Sequence, residues 1–162
     1  MDTHVRQTKG SGKLLGAVMA AFIAVILLRF FFDIAYVSGK SMEPVFYEGD
    51  VLLMKKWGMP EKGDIVTAYV EGLDRLVVKR VLAAEGDRVA VNDGEIYLND
   101  ERIGRDGNKE LAGAGIKERQ EFILPPGQYF LIGENQEVSL DSRAFGCIGK
   151  SAVCGTVVCR LF

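Results

Sequence analysis

Two residues in this sequence could perform chemistry together. Ser41 follows Gly39 and Lys40 shortly after an apolar segment, and Lys79 interrupts the apolar run 76–82. A serine hydroxyl becomes a useful nucleophile when a neighbouring base accepts its proton. Lysine can be that base when burial among apolar groups disfavours its charged form and lowers its pKa. The two residues therefore suggest acyl transfer by a serine and a neutral lysine.

Strand alternation indicates where the lysine points. Val77, Lys79 and Val81 would share one face of a strand, while Val78 and Arg80 would share the other. This places the amine among valines, and we expect Arg80 to face away and form a structural ion pair. An isolated lysine in a strand is, however, more often a solvated residue at a sheet edge, and alternation alone favours that reading. A serine beside a glycine is by default a turn residue.

Other chemistries fit the sequence poorly. The run 39–41 resembles a phosphate loop, but that motif needs a glycine where Ile34 stands. The net charge of -2 argues against general nucleic-acid binding, which requires a basic surface. The only histidine is His4, which lies across the apolar segment from Ser41 and would be on the other side of a membrane, and the spacings of the cysteines match no common zinc site. Histidine-assisted catalysis and a zinc centre are therefore not expected.

The three cysteines, Cys147, Cys154 and Cys159, all fall where the last strands are predicted. One disulfide is possible in an oxidising compartment, and an odd count would leave a free thiol. Alternatively, at least one of them is a small buried hydrophobic residue.

An uncharged apolar run occupies residues 14–28 and is followed by Arg29 and three phenylalanines. As a helix the run rises about 22 Å, and it reaches the roughly 30 Å hydrocarbon core if Arg29 snorkels and the phenylalanines lie at the interface. It lacks the polar face of a core helix and the small-x-small site of a cleavable signal peptide. We predict a cytoplasmic tail over 1–13, a transmembrane anchor over 14–33 and an outer domain over 34–162, since basic residues precede the span.

The rest of the sequence is typical of β-structure. Short apolar runs alternate with turn signals such as Asn92-Asp93-Gly94, which predicts a tight hairpin. Residues 104–120 are rich in glycine and charge and are predicted to form a flexible excursion. The expected fold class is mostly β: a single N-terminal transmembrane helix followed by an antiparallel, folded-over, barrel-like sheet domain.

Four ordered segments resemble the motifs of the type I signal peptidase family, which are membrane-anchored Ser-Lys proteases. The resemblance covers nearly the whole chain and is carried by these residues: Ser38-Gly39-Lys40-Ser41-Met42-Glu43-Pro44, then Gly49-Asp50-Val51-Leu52, then Gly63-Asp64-Ile65-Val66 leading to Val78-Lys79-Arg80-Val81 with Gly86-Asp87, and Gly133-Glu134-Asn135 followed by the run 139–146.

The resemblance implies roles for individual residues. Ser41 would be the acylating nucleophile and Lys79 the general base, with Ser139 hydrogen-bonded to the Lys79 amine to orient it. Asp141 and Arg143 would form an ion pair that braces the site, although taken alone they would be interpreted as a surface salt bridge. The Ser41 backbone N–H would be one donor to the developing oxyanion.

The sequence also departs from the family pattern. Some members have a hydroxyl side chain two residues before the nucleophile as a second oxyanion donor, and Gly39 stands there in this sequence. Glu134 and Gln136 occupy positions where the family usually has Asp and Arg. The second donor and the geometry around the site are therefore left open.

The family binds its substrate as an extended strand with small side chains one and three residues before the cut. Five residues match positions that line the corresponding pockets, though each could equally be plain core: Val37, Met42, Phe46, Val77 and Val78. The turn Trp57-Gly58-Met59-Pro60 could dip into the membrane interface or simply pack.

The function implied is removal of N-terminal signal peptides from exported preproteins, at the outer face of the cytoplasmic membrane. The expected partners are preproteins and the lipid bilayer, without nucleic acid, metal or organic cofactor, and the enzyme is expected to be a monomer. Self-cleaving SOS repressors resemble this site and sheet but carry a DNA-binding head. The alternative from another class is a catalytically silent, membrane-tethered β domain that binds secreted proteins.

Overall fold

The N-terminal part of the chain is one long apolar helix. The computed structural model describes residues 11–92, 95–105 and 120–162. Helix α1 spans Ser11–Phe31, and none of its apolar window is buried against the rest of the protein. An apolar helix exposed on all sides requires an apolar environment, and this one is long enough to cross a bilayer. The helix ends at Phe31, so the last two residues of the predicted anchor, Phe32 and Asp33, already belong to the first strand.

Eleven strands, one further short helix and two 3-10 turns follow α1 in the described ranges. The strands are β1 Phe32–Tyr36, β2 Val51–Lys55, β3 Ile65–Val70, β4 Arg75–Ala83, β5 Arg88–Asn92, β6 Glu95–Leu98, β7 Glu101–Arg105, β8 Gln120–Ile123, β9 Gln128–Ile132, β10 Ile148–Gly149 and β11 Val153–Arg160. The 3-10 turns are Glu71–Leu73 and Lys150–Ala152, and helix α2 is Ser142–Phe145. The sequence pattern did not indicate α2, because four residues are too few to show helical periodicity.

The strands form two antiparallel sheets. The larger sheet has the order β1-β2-β11-β3-β4-β9-β10, and the smaller one has the order β7-β6-β5-β8. Strands β5 and β6 pair from Val89 with Leu98 to Asn92 with Glu95, which confirms the predicted hairpin. The expected fold class, mostly antiparallel β-structure after an apolar helix, is confirmed. Residues 1–10 of the predicted tail and residues 106–119 of the predicted excursion lie outside the described residues.

Three apolar clusters hold the sheets. The first is built from alternate residues of β3, β4 and β9, such as Val66, Val81 and Leu131. A third cluster joins the two sheets through Ala83 and Phe130 on one side and Val89 on the other. Burial of apolar surface is the main force that keeps these layers together, and it stabilises the fold by about 25 cal/mol for each Å² removed from water. The second cluster, described with the site below, holds the turn that carries Ser41.

The cysteines are all free thiols. Cys154 and Cys159 lie exposed on β11, while Cys147 precedes β10 and packs half-buried against the third cluster. The disulfide that the sequence left open is not formed. Cys147 alone comes close to the small hydrophobic role considered for these residues.

Candidate active site

Ser41 and Lys79 meet in the structure. The Lys79 amine donates to Ser41 Oγ at 2.6 Å. Lys79 lies in the middle of β4, where pairing with Val66 of β3 fixes its backbone, and only 3% of the residue is exposed. The alternative reading, a solvated lysine at a sheet edge, is therefore wrong. Alternation along β4 is as predicted, with Val77, Lys79 and Val81 buried and the intervening residues half-buried.

A tight turn presents the Ser41 side chain to this amine. Gly39 has a φ of +84°, a left-handed conformation that residues with a side chain rarely adopt. After the serine, Met42 is almost fully buried in the second cluster with Val37, Phe46 and Leu52, which anchors the turn to β2. The backbone carbonyl of Ser41 also accepts from the Asn135 N–H at 3.0 Å. The turn is thus held on both sides of the nucleophile.

Burial lowers the pKa of Lys79 from its ordinary value of 10.5 to about 8. Desolvation of the ammonium form is the largest cause, because the amine lies among valines rather than in water. The negative charge of Asp141 acts in the opposite direction, while Arg75 and Arg143 lower the pKa further. At neutral pH roughly a tenth of the molecules then carry an uncharged Lys79, which is the form that can accept a proton.

Ser139 lies in the same site, but the expected hydrogen bond is not formed. Its Oγ is buried and has no hydrogen-bond partner among the described residues. Gly133 brings it close to the nucleophile: a Cβ built at Gly133 would lie 2.2 Å from Ser139 Oγ and 2.6 Å from the Ser41 carbonyl oxygen. Only glycine fits between these two serines. An unpartnered buried hydroxyl is costly, so its position beside the site requires an explanation.

Asp141 and Arg143 form a buried ion pair. Arg143 Nε donates to Asp141 Oδ1 at 2.7 Å, and Nη2 donates to Oδ2 at 2.8 Å, with side-chain exposures of 2% and 0% for Arg143 and Asp141. The same carboxylate accepts from the Gly133 backbone N–H at 3.0 Å and caps α2 through the Arg143 N–H. The reading of these two residues alone as a surface pair is wrong, because α2 folds them under β9. Their carboxylate ties Gly133, and through it both serines, to a fixed scaffold.

Glu134 and Gln136, the two residues that depart from the family pattern, both have partners in the structure. Arg80 points away from Lys79, as predicted, and pairs with Glu134 while also donating to the Gly63 carbonyl. The backbone carbonyl of Gln136 accepts from Arg143 Nη2 at 3.2 Å. Position 134 therefore contributes a carboxylate to an ion pair, whereas position 136 contributes a main-chain oxygen to the buried arginine.

An open cleft of about 1120 Å³ runs past the Ser41–Lys79 pair. One wall is formed by residues 33–42, the other by residues 75–79, and the floor includes Met54, Thr67 and Cys154. Pairing of β4 with β9 begins only at Arg80, so the first half of β4 has no neighbour on that side among the described strands. The outer edge of β1 also has no neighbouring strand among the described residues, because β1 is the first strand of the larger sheet. Two strand edges therefore offer free backbone groups to an extended ligand.

The structure distinguishes among the residues expected to bind substrate. Val37, Met42, Val77 and Val78 line the cleft. Phe46 does not line it and instead packs behind the turn in the second cluster. The floor residues Thr67 and Cys154 were not predicted from the sequence to line a substrate cleft. Their place depends on how the sheet curls, for which the sequence carried no signal.

Comparison with known proteins identifies the family. The profile of the family described as signal peptidase, peptidase S26, matches residues 12–162. Signal peptidase I of Bacillus licheniformis is 33% identical over 95% of this chain and 91% of its own length, and signal peptidase I T of Bacillus subtilis is 30% identical over 86% and 78%. A solved signal peptidase I from Enterococcus faecalis is 27% identical, covers 62% of this chain and 98% of that chain, and superposes with a TM-score of 0.45. The chain belongs to the signal peptidase, peptidase S26, family.

Proposed function

We propose that this protein is an endopeptidase that removes N-terminal signal peptides from exported preproteins, using Ser41 as nucleophile and Lys79 as general base. The observation that carries the proposal is the 2.6 Å contact between a buried lysine amine and a serine hydroxyl in an open cleft. Family membership supports the substrate class. The chemistry is proposed from the geometry and from the lowered pKa of Lys79.

The reaction divides into acylation and deacylation. Uncharged Lys79 accepts the Ser41 hydroxyl proton as Oγ attacks the carbonyl carbon of the scissile peptide bond. The ammonium then gives this proton to the leaving nitrogen, which departs as the amino terminus of the mature protein, and the signal peptide remains as an ester on Ser41. Lys79 next takes a proton from water, whose oxygen attacks the ester carbon, and gives this proton to Ser41 Oγ as the ester bond breaks. The signal peptide leaves as an acid that loses its proton to solvent, and both Ser41 and Lys79 return to their starting forms. The Ser41 backbone N–H is the proposed donor to the oxyanion.

Ser139, Asp141 and Arg143 are proposed to support this chemistry. The buried Ser139 hydroxyl has no hydrogen-bond partner among the described residues. It is therefore available to bind the Lys79 amine once a bound substrate reorients that amine. The Asp141–Arg143 pair holds Gly133 in place, and Gly133 separates Ser139 from the Ser41 backbone. These residues act by positioning the pair that reacts.

The substrate is proposed to bind as an extended strand between the free edges of β1 and β4. Backbone pairing with sheet edges supplies affinity without sequence preference, while small pockets select alternate side chains. Val37, Met42, Val77 and Val78 line the cleft, which supports their proposed role in those pockets, and Phe46 would shape the pockets from behind the turn. Small residues one and three positions before the cut are the expected preference.

The protein is proposed to be a monomer with residues 1–13 in the cytoplasm, an anchor from residue 14 to the end of α1 at Phe31, and the β domain on the outer face of the cytoplasmic membrane. An apolar helix with no buried window supports the anchor, and basic residues before it support the orientation. Protease added to intact cells should digest the β domain; protection of that domain would reverse the orientation.

The function is tested by incubating the full-length protein in detergent with a purified signal-bearing precursor. We expect one cut after the signal peptide, identified from the mass and new amino terminus of the product. Ser41→Ala should give no cut, whereas Ser151→Ala, at an exposed serine that does not line the cleft, should cleave as the unaltered protein does. Cleavage retained by Ser41→Ala would reject the nucleophile. Binding of the precursor without any cleavage by the unaltered protein would favour a silent binding domain.

Activity is expected to rise with pH through an apparent pKa near 8. Only uncharged Lys79 can accept the serine proton, and burial lowers its pKa to about 8. The measurement is kcat/KM for precursor cleavage between about pH 6 and pH 10 in detergent, where the free enzyme's essential base sets the profile. A rise confined to the region of 10.5, the ordinary value of lysine, would contradict a buried base.

A further inference from the structure

The anchor helix and one wall of the cleft are a single uninterrupted stretch of chain. Helix α1 ends at Phe31, and β1 begins at the next residue, Phe32. From Asp33 onward the same stretch lines the cleft. A flexible linker would let the domain tilt freely over the membrane, but none separates these two elements. We call the connection between Phe31 and Phe32 the junction. Contacts that hold the junction therefore also hold the cleft in place relative to the helix.

Lys56, directly after β2, caps the end of the helix. Its backbone N–H donates to the Phe31 carbonyl at 2.9 Å, and its amine donates to the Arg29 carbonyl at 3.3 Å. The last carbonyls of a helix lack partners within the helix, and a cation is favourable beside them. The Lys56 amine also lies 3.7 Å from the Asp33 carboxylate. One residue thus joins the last turn of the helix to the first residues of the strand.

Trp57 bridges the same junction with its ring. Its centroid lies 5.6 Å from that of Phe31 and 4.9 Å from that of Phe32, both in edge-to-face geometry. Such pairs are favourable beyond the area that they bury. Trp57 is 47% exposed and belongs to none of the three core clusters. Bending at the junction would separate its ring from at least one phenylalanine, so its contacts oppose bending without contributing to the core.

The rigid junction defines a length. An extended chain advances about 3.3 Å per residue, so β1 carries the cleft wall roughly 16 Å from Phe32 to Val37. A substrate strand lying along β1 advances at the same rate. An extended substrate would therefore need about five residues to reach from a point beside Phe32, at the end of the helix, to a point beside Val37, in the cleft wall near Ser41.

We propose that the junction held by Trp57 and Lys56 sets how many residues must separate the hydrophobic segment of a signal peptide from the bond that is cut. This inference rests on the proposed function, and it assigns Trp57 as a positioning residue. The substrate's hydrophobic segment is held in the same bilayer as α1. The cut then falls where the extended substrate reaches Ser41, and a loosened junction widens the range of accepted spacings.

The test uses the full-length protein in vesicles of phosphatidylethanolamine and phosphatidylglycerol with a series of membrane-inserted precursors. The series differs only in residues added or removed between the hydrophobic segment and the cut site. The readout is the ratio of kcat/KM for the best spacing to that for a spacing about three residues longer, which corresponds to roughly 10 Å of extended chain. A short soluble peptide without a hydrophobic segment reports on the cleft alone.

Trp57→Ala is expected to lower this ratio about tenfold, because two ring contacts are lost, and to cleave the short peptide as the unaltered protein does. Trp57→Phe should restore most of the ratio, and Met59→Ala, more exposed in the same turn, should leave it unchanged. An unaltered ratio in Trp57→Ala overturns the inference, and so does an equal loss on the short peptide, which would mean damage to the cleft. Failure of the unaltered protein to cleave any precursor overturns the proposed function itself.

Discussion

Lys79→Met is expected to abolish cleavage while making the folded protein more stable at neutral pH. Loss of the general base should reduce the rate by about 10⁴-fold or more, since the members of such a unit act together. Methionine matches the length of the buried stem and has no charge to desolvate. The burial that lowers the pKa of Lys79 to about 8 is a cost to folding, and its removal should stabilise the protein by about 1–3 kcal/mol, after allowing for the hydrogen bond lost by Ser41.

The stability gained by Lys79→Met should decrease as pH rises. The folded-state pKa of about 8 lies below the ordinary value of 10.5, so between these values the unfolded chain binds more protons than the folded one. The stability of the unaltered protein therefore rises with pH across this window. The burial cost is fully present below about pH 8 and is gone above 10.5. The advantage of Lys79→Met should shrink accordingly as pH increases.

Denaturant unfolding in detergent at several pH values measures this difference, with precursor cleavage followed in parallel. Lys150→Met is the matched control, since Lys150 is exposed and does not line the cleft, and it should change neither property. A Lys79→Met protein that is destabilised at pH 7, or that gains stability equally at all pH values, would show that the amine is not held against its preference for water.

Local patterning was sufficient for the strand that carries the base. Alternation in β4 correctly placed Val77, Lys79 and Val81 inside and Arg80 outside, because a slip of one residue would expose the whole apolar set. It could not decide whether Lys79 was buried or at an edge. That depends on the neighbours of β4, and β4 pairs with β3 from Arg75 to Arg80 but with β9 only from Arg80 onward. The cleft exists because of this incomplete pairing.

Contacts between distant segments were beyond local reasoning. The sequence placed Gly133 in a motif, but the reason for glycine there is a close approach to Ser139 and to the Ser41 carbonyl. Burial of the Asp141–Arg143 pair likewise follows from the packing of α2 against β9 and not from the residues themselves. The resemblance correctly paired these two residues. It also implied a Ser139–Lys79 hydrogen bond, which this structure does not contain, and that role of Ser139 stays a prediction.

Asp141→Ala is expected to destabilise the fold by about 3–5 kcal/mol, because it removes the carboxylate that compensates a buried guanidinium. The substitution deprives Arg143 of two charge-assisted hydrogen bonds, at 2.7 Å and 2.8 Å, and removes the acceptor of the Gly133 N–H. Helix α2 also loses its N-cap. Denaturant unfolding in detergent measures the loss. Arg102→Ala removes an exposed arginine that pairs with half-buried Glu95 at 3.1 Å. It is the control and should cost about 1 kcal/mol or less.

Asp141→Asn separates the charge of this residue from its shape. The amide still offers an oxygen to cap α2, so this variant should fold better than Asp141→Ala. The Asp141 charge raises the pKa of Lys79, so its removal should move the rise in kcat/KM to lower pH. A profile that stays in place would show that Asp141 acts on the site through structure alone. A profile that moves down, in a protein that remains folded, would show that the buried pair also adjusts how readily the base gives up its proton.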